Sequence, residues 1–391
     1  MNKKWKFIIL TIATVILFTL FYQPTDPVIS LSVSSDGRYA VSGHVDRKVD
    51  PSYPIGQLVL WDIERKTKQI ISKKANAFSA MFIPDSHEFM WQDDKDMIYM
   101  QTIDGQIIKN FQHPFTIQNH RITADKSFYL SADLYNHLHL GYGENIKTVY
   151  NDGASISKPV DLSIVGNYFL SVTNTCHGPD DPVVETNLTA NPVNFSKSKK
   201  SSYNGVTLWD KHTLKPIARL IGNCGATNGL ISPDGKWVIT GGENFINYMW
   251  SIDDLNQRLG LEAVDDSVIY REPLEPGKKH PVPVPAKYDG KQITFNHTVA
   301  ISFLSEKEFV LFNKTNTDEL VPVYTVGNPF IKGYVETGKP YVSTDYFQRN
   351  LSVSSSPTAH ILVTGQATGG GINVYKYHPD KMELEKIWVA D

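Results

Sequence analysis

From Val28 onward, apolar and polar residues alternate in short runs, and each run ends in a cluster of Ser, Asp, Gly, Asn or Pro. A period of two puts successive side chains on opposite faces of a pleated strand, so the pattern predicts strands joined by tight turns. One complete unit runs from Ile29 to Ile71. It has an alternating strand, the turn Ser34-Ser35-Asp36-Gly37, a second strand from Arg38 to Ser42 and a polar loop. A third strand from Gln57 to Trp61-Asp62 follows, and Lys68 to Ile71 closes the unit. A second copy begins at Gly229, turns at Ser232-Pro233-Asp234-Gly235 and reaches Trp250. The run Val206 to Trp209-Asp210 is the back half of another. Weaker copies fill the intervals, and first-hairpin turns fall near Asp36, Asp85, Asp125, Gly166, Asp234, Glu306 and Pro357. Stretches with helical spacing are scarce.

Strand, tight turn, strand, loop, strand ending in Trp-Asp, strand: this unit resembles a WD40 repeat. The resemblance rests on Ser34 to Gly37 with Trp61-Asp62, on Trp209-Asp210, and on Ser232 to Gly235 with Trp250. It implies an all-β, seven-bladed WD40-like β-propeller over residues 28–391, in which each blade buries its faces against its neighbours. Blades of this family often carry a Gly-His pair before the first strand, whose His joins a buried Asp and the Trp in a hydrogen-bonded network. No such pair stands at that position here, so packing is expected to carry more of the stability. The first blade starts with its innermost strand and the last ends near Val389, which implies closure without strand exchange.

Ahead of the repeats lies an uncharged apolar run. Lys3, Lys4 and Lys6 precede the uncharged stretch Phe7 to Tyr22; residues 1–4 are the tip, and residues 5–22 form the expected N-terminal transmembrane helix and signal anchor. That length is near the lower limit for crossing a bilayer. The lysines place the tip in the cytoplasm and the propeller outside it. A cleaved signal peptide is the alternative, but Leu20 to Pro24 offers no small-residue cleavage site. Residues 23–27 are a linker. The expected location is a bacterial inner membrane, single-pass, with the propeller in the periplasm.

Insertions at 44–56, 177–204 and 254–293 interrupt the repeats, the last expected between blades five and six. Propeller topology puts the loops between second and third strands on one face with the blade connections. Loops on a rigid scaffold concentrate function, so this face supplies the candidate binding residues His44, Asp46, Arg47, Tyr53, His177, Asp180, Asp181 and Gln366. Cys176 and Cys224 both fall on it and are expected to form one disulfide. Closing a loop of about 47 residues would stabilise the fold by up to roughly 4 kcal/mol in the chain-entropy model.

The chain has 391 residues and a formal net charge of -3. With no basic run beyond the start, a nucleic-acid footprint is absent. No nucleophile elbow, phosphate loop or zinc-protease helix motif occurs, and no cofactor is expected. His137 and His139 share one strand face and could ligate a metal if a carboxylate approached; a hydrogen-bonded or solvated pair is the plainer reading, so no metal site is assigned. Asp93, Asp94 and Asp96 form an acidic turn. The function expected from these features is a non-enzymatic, membrane-anchored protein-binding scaffold or receptor with a membrane-embedded or membrane-proximal partner. The alternatives are a propeller hydrolase or lactonase with a metal in the central channel, and a periplasmic inhibitor or immunity-type binder.

Overall fold

The computed structural model describes residues 27–45, 54–134, 137–141, 146–150, 159–173, 206–214, 216–220, 226–242, 247–253, 279–282, 287–288, 291–292, 298–313, 320–328, 330–337, 352–366 and 370–390. Among them are seven antiparallel sheets, each of four strands in chain order. The chain is therefore a seven-bladed propeller, as the turn count predicts. Blade one comprises Val28–Val33, Tyr39–Val45, Ile55–Asp62 and Thr67–Asn76. Blade seven comprises Val353–Ser356, Ile361–Gly365, Ile372–His378 and Glu383–Ala390. Since both end blades are complete, the ring closes without exchanging a strand.

The core is a set of seven apolar seams, each shared by two successive blades. The closing seam joins Val28, Val33, Ala40, Val59 and Trp61 of blade one to Ile361, Val363, Ile372 and Val374 of blade seven. Because every blade is two-sided, removing one would expose two such surfaces to water.

Side chains of the innermost strands stitch the seams. Ser32 Oγ accepts the backbone N–H of Phe82 in the next blade at 2.9 Å. Ser163 Oγ accepts that of Ile231 at 3.1 Å, and Ser354 Oγ that of Val33 at 3.1 Å. These serines occupy one register position in blades one, four and seven. Small hydroxyl residues recur there because the inner strands converge on the axis, and an edge N–H left in the seam would otherwise lack a partner. Two residues earlier, Asp161 does the same job with a carboxylate. Its Oδ2 accepts Gly229 N–H at 3.2 Å while its Oδ1 accepts Leu162 N–H and the Asn119 amide.

We call the face where first strands begin and second strands end the proximal face; Val28 pairs with His44 there. Two glycines at one register position let the chain pass on this side. A Cβ on Gly43 would lie 2.0 Å from the Ala77 carbonyl oxygen, and one on Gly365 would lie 2.6 Å from Val28 Cβ. Gly365→Ala should therefore push blade seven off blade one and lower stability by about 1–3 kcal/mol, the usual cost of overpacking. A shift of the urea midpoint checks this; an unchanged midpoint would mean that the seam has slack.

One expectation on layout needs correcting. Lys279–Val282 pairs with Asn247–Ser251 and is the outer strand of blade five. The long insertion thus falls mainly within blade five, between its third and fourth strands, and not between blades five and six. The third strand ends and the outer strand begins at the opposite, distal end of the blade. The pairing is invisible locally because the partners are separated by that whole segment.

Candidate functional site

The proximal end of the second strand is where blades differ most in chemistry. At equal register this position holds His44 in blade one, Asp93 in blade two, Asp133 in blade three and Gln366 in blade seven. His44 is buried, 4 % exposed, and its Nε2 shares a 2.7 Å hydrogen bond with Ser42 Oγ. Gln366 is half-buried, and its amide donates to Asn373 Oδ1 and the Ala390 carbonyl. Its backbone carbonyl accepts Val28 N–H, so it also secures the closing seam. Both are engaged in the ring's own bonding. The other candidate binding residues, Asp46, Arg47, Tyr53, His177, Asp180 and Asp181, lie outside the described residues. So do the expected Cys176–Cys224 disulfide and the anchor at 5–22.

In blades two and three the carboxylate at this position accepts the backbone N–H four residues on. Asp93 Oδ1 accepts Met97 N–H at 2.9 Å and its Oδ2 accepts the Tyr99 hydroxyl at 3.1 Å. Asp133 Oδ1 accepts His137 N–H at 2.9 Å, the same spacing of four residues. Its Oδ2 faces two imidazoles, His137 Nδ1 at 2.7 Å and His139 Nε2 at 3.0 Å. The acidic turn of blade two is thus spent on turn geometry: Asp96 accepts the Thr116 hydroxyl and Asp94 lies 3.6 Å from Lys74 Nζ. Blade three gathers instead a carboxylate and two imidazoles whose donor atoms all lie within 4.8 Å of one another.

This cluster is largely sheltered. The side chains of Asp133 and His139 are 0 % exposed, and that of His137 is 19 % exposed. Burial alone would push the Asp133 carboxyl up. Hydrogen bonds from His139 and from the backbone and ring of His137 outweigh it, holding the group below the usual carboxylate range. Behind it His113 packs edge-on to His139, with ring centroids 4.8 Å apart. His113 Nε2 lies 3.0 Å from Ser131 Oγ and its Nδ1 2.6 Å from the Phe115 carbonyl. Burial, helped by the neighbouring His139, lowers its pKa to about 4. His113 was not singled out in the sequence; it follows Gln112, not a glycine, yet it stands ahead of a first strand.

The central channel offers less. At the junction of blades three and four the Arg121 guanidinium lies 3.5 Å from Asp161. Burial pushes the Asp161 carboxyl up despite that pairing. This is one ion pair already committed to joining blades, and it does not resemble a set of metal ligands drawn from several blades.

Comparisons with known proteins agree with this architecture. The family model of the WD domain, G-beta repeat, matches residues 16–49. The crystal structure of the β-propeller domain of Cps50 (Swd1) from Myceliophteria thermophila superposes with a TM-score of 0.58 at 12 % identity. That match covers 90 % of this chain and 98 % of the other. It is a likeness of fold. No curated protein matches the sequence significantly. Among the described residues no helix is long and apolar enough to cross a membrane.

Proposed function

We propose that this chain is a non-enzymatic protein-binding platform, tethered to a membrane by residues 5–22 and engaging a membrane-embedded or membrane-proximal protein through its proximal face. The observation that carries this reading is the point of entry into the ring. Val28 pairs with His44, so the chain joins the propeller on the face from which the loop after Val45 departs. The linker of residues 23–27 spans at most about 17 Å even when fully extended. A tether that short keeps the proximal face near the bilayer. The seven apolar seams support the same reading, since they hold that face rigid and leave its loops available for recognition. The Lys residues at the start favour a periplasmic placement of the ring in a bacterial inner membrane.

The test is done in intact cells. The full chain should stay in the membrane after an alkaline carbonate wash, and protease added outside opened outer membranes should reach the propeller. A photo-crosslinker at Arg47 or Tyr53 should then capture an integral membrane protein, with capture lost when residues 46–53 become a Gly-Ser loop. Recovery of the chain in the soluble fraction, or crosslinks only to soluble proteins, would count against the proposal.

A further inference from the structure

We propose that Asp133, His137 and His139 form a three-ligand site for a divalent transition-metal ion, zinc by ligand type, at the proximal mouth of blade three. The inference does not depend on the protein-binding reading above. Two imidazole nitrogens and one carboxylate oxygen are the donor set that suits zinc, whereas calcium and magnesium demand shells of oxygen. The three donors converge: Asp133 Oδ2 is 2.7 Å from His137 Nδ1 and 3.0 Å from His139 Nε2. With zinc bonds of about 2.0–2.2 Å, tetrahedral donors lie roughly 3.3 Å apart. With all three donors within 4.8 Å of one another, admitting the ion takes a sub-ångström opening of the two Asp133–His pairs and a closing of the two imidazole nitrogens toward about 3.3 Å.

Three further features suit a built site. The carboxylate is oriented by a backbone bond that leaves Oδ2 for the ion, because its Oδ1 accepts the His137 N–H. His137 and His139 project from one strand on the same side, two residues apart, so neither has to leave its place in the sheet. Two of the ligands are wholly sheltered while His137 reaches the surface. Three protein ligands leave a fourth position, and on the side of partly exposed His137 water or a side chain of another protein could complete the shell. Blade two supplies an internal comparison. At the same register it has Met97 and Tyr99 where blade three has His137 and His139. Of these two blades only blade three carries the imidazoles, so the carboxylate's bond to the N–H four residues on does not call for them.

All three ligands come from one blade, at the rim and away from the axis. The ion would therefore clamp the second and third strands of blade three and present an open position to a docked partner, unlike a channel metal assembled from several blades.

The test uses the full chain, stripped with a chelator and titrated near neutral pH with zinc chloride alone, then separately with cobalt(II). We expect one zinc per chain and the intense visible bands of tetrahedral cobalt. His137→Gln should weaken zinc binding about tenfold or more; it is partly exposed, so the fold should survive, as circular dichroism will check. His378→Gln, an outer-edge histidine bonded to Glu385, should leave binding unchanged. Absence of zinc uptake, pale octahedral cobalt spectra, or undiminished affinity in folded His137→Gln would each overturn the proposal.

Discussion

Trp61→Ala should lower the stability of the propeller by about 3–5 kcal/mol, the range for removing a large buried aromatic. The indole is 1 % exposed and sits in the closing seam, edge-on to Trp388 of blade seven with centroids 6.0 Å apart. Its Nε1–H donates to Ser42 Oγ at 2.7 Å, and Ser42 in turn contacts His44. Truncation therefore opens a cavity and also leaves the Ser42–His44 pair without its donor. The closing seam is the one that no chain connection reinforces, so loss of packing there should loosen the ring as a whole. Trp61→Phe separates the two contributions: it keeps most of the packing and removes the donor, which should cost about 1–2 kcal/mol. Urea unfolding at constant m reads both. A loss below about 1 kcal/mol for the alanine variant would show that ring closure rests elsewhere.

The same bond recurs around the ring, and it explains what could and could not be read from the sequence. Trp209 donates to Ser171 and Trp250 to Thr240 at matching register. In blade two the partners change strands: Trp91 stands at the Ser42 position and donates to Gln101 at the Trp61 position. In blade three Ser131 meets His113 instead. The Trp-Asp strands were legible; the exchanged pair was not, since a bond kept across two strands leaves no fixed motif on either. Packing is therefore not alone in these blades. A Trp-hydroxyl network runs through blades one, four and five without the Gly-His pair.

Turns were legible for a local reason. Asp36 Oδ1 accepts both Ser34 Oγ and Arg38 N–H, and Asp234 repeats this with Ser232 and Lys236. All the bonds fall within five residues, so the chemistry is written in consecutive letters. Longer pairings escape that kind of reading. The outer strand of blade five depends on Met249 meeting His280 across the insertion. The blade-three cluster is intermediate. Two histidines on one strand face could be seen, but the carboxylate that joins them could not, because Asp133 reaches them only after the turn folds back.

Acid should destabilise the propeller through His120, whose side chain joins two blades. The imidazole is buried at 1 % exposure in the innermost strand of blade three. Its Nε2–H donates at 2.7 Å to the Ser79 carbonyl, in the connection that leads into blade two, and its Nδ1 lies 3.2 Å from the Tyr129 hydroxyl. Burial lowers its pKa to about 3, and the nearby Arg121 charge acts the same way against the partly opposing Ser79 bond. The unfolded chain binds this proton near pH 6.5 and the folded chain does not. The folded state is therefore favoured in full above pH 6.5 and loses that advantage as pH falls toward 3. Each unit of that interval is worth about 1.4 kcal/mol, so acidification from pH 6.5 to 5 should remove about 2 kcal/mol through this residue. His120→Gln keeps a donor of similar reach and cannot titrate. Its unfolding free energy, measured against pH, should fall less steeply than that of the wild type by the equivalent of one proton. Parallel slopes would show that His120 is protonated in the folded ring, and that the contact between blades two and three tolerates the charge.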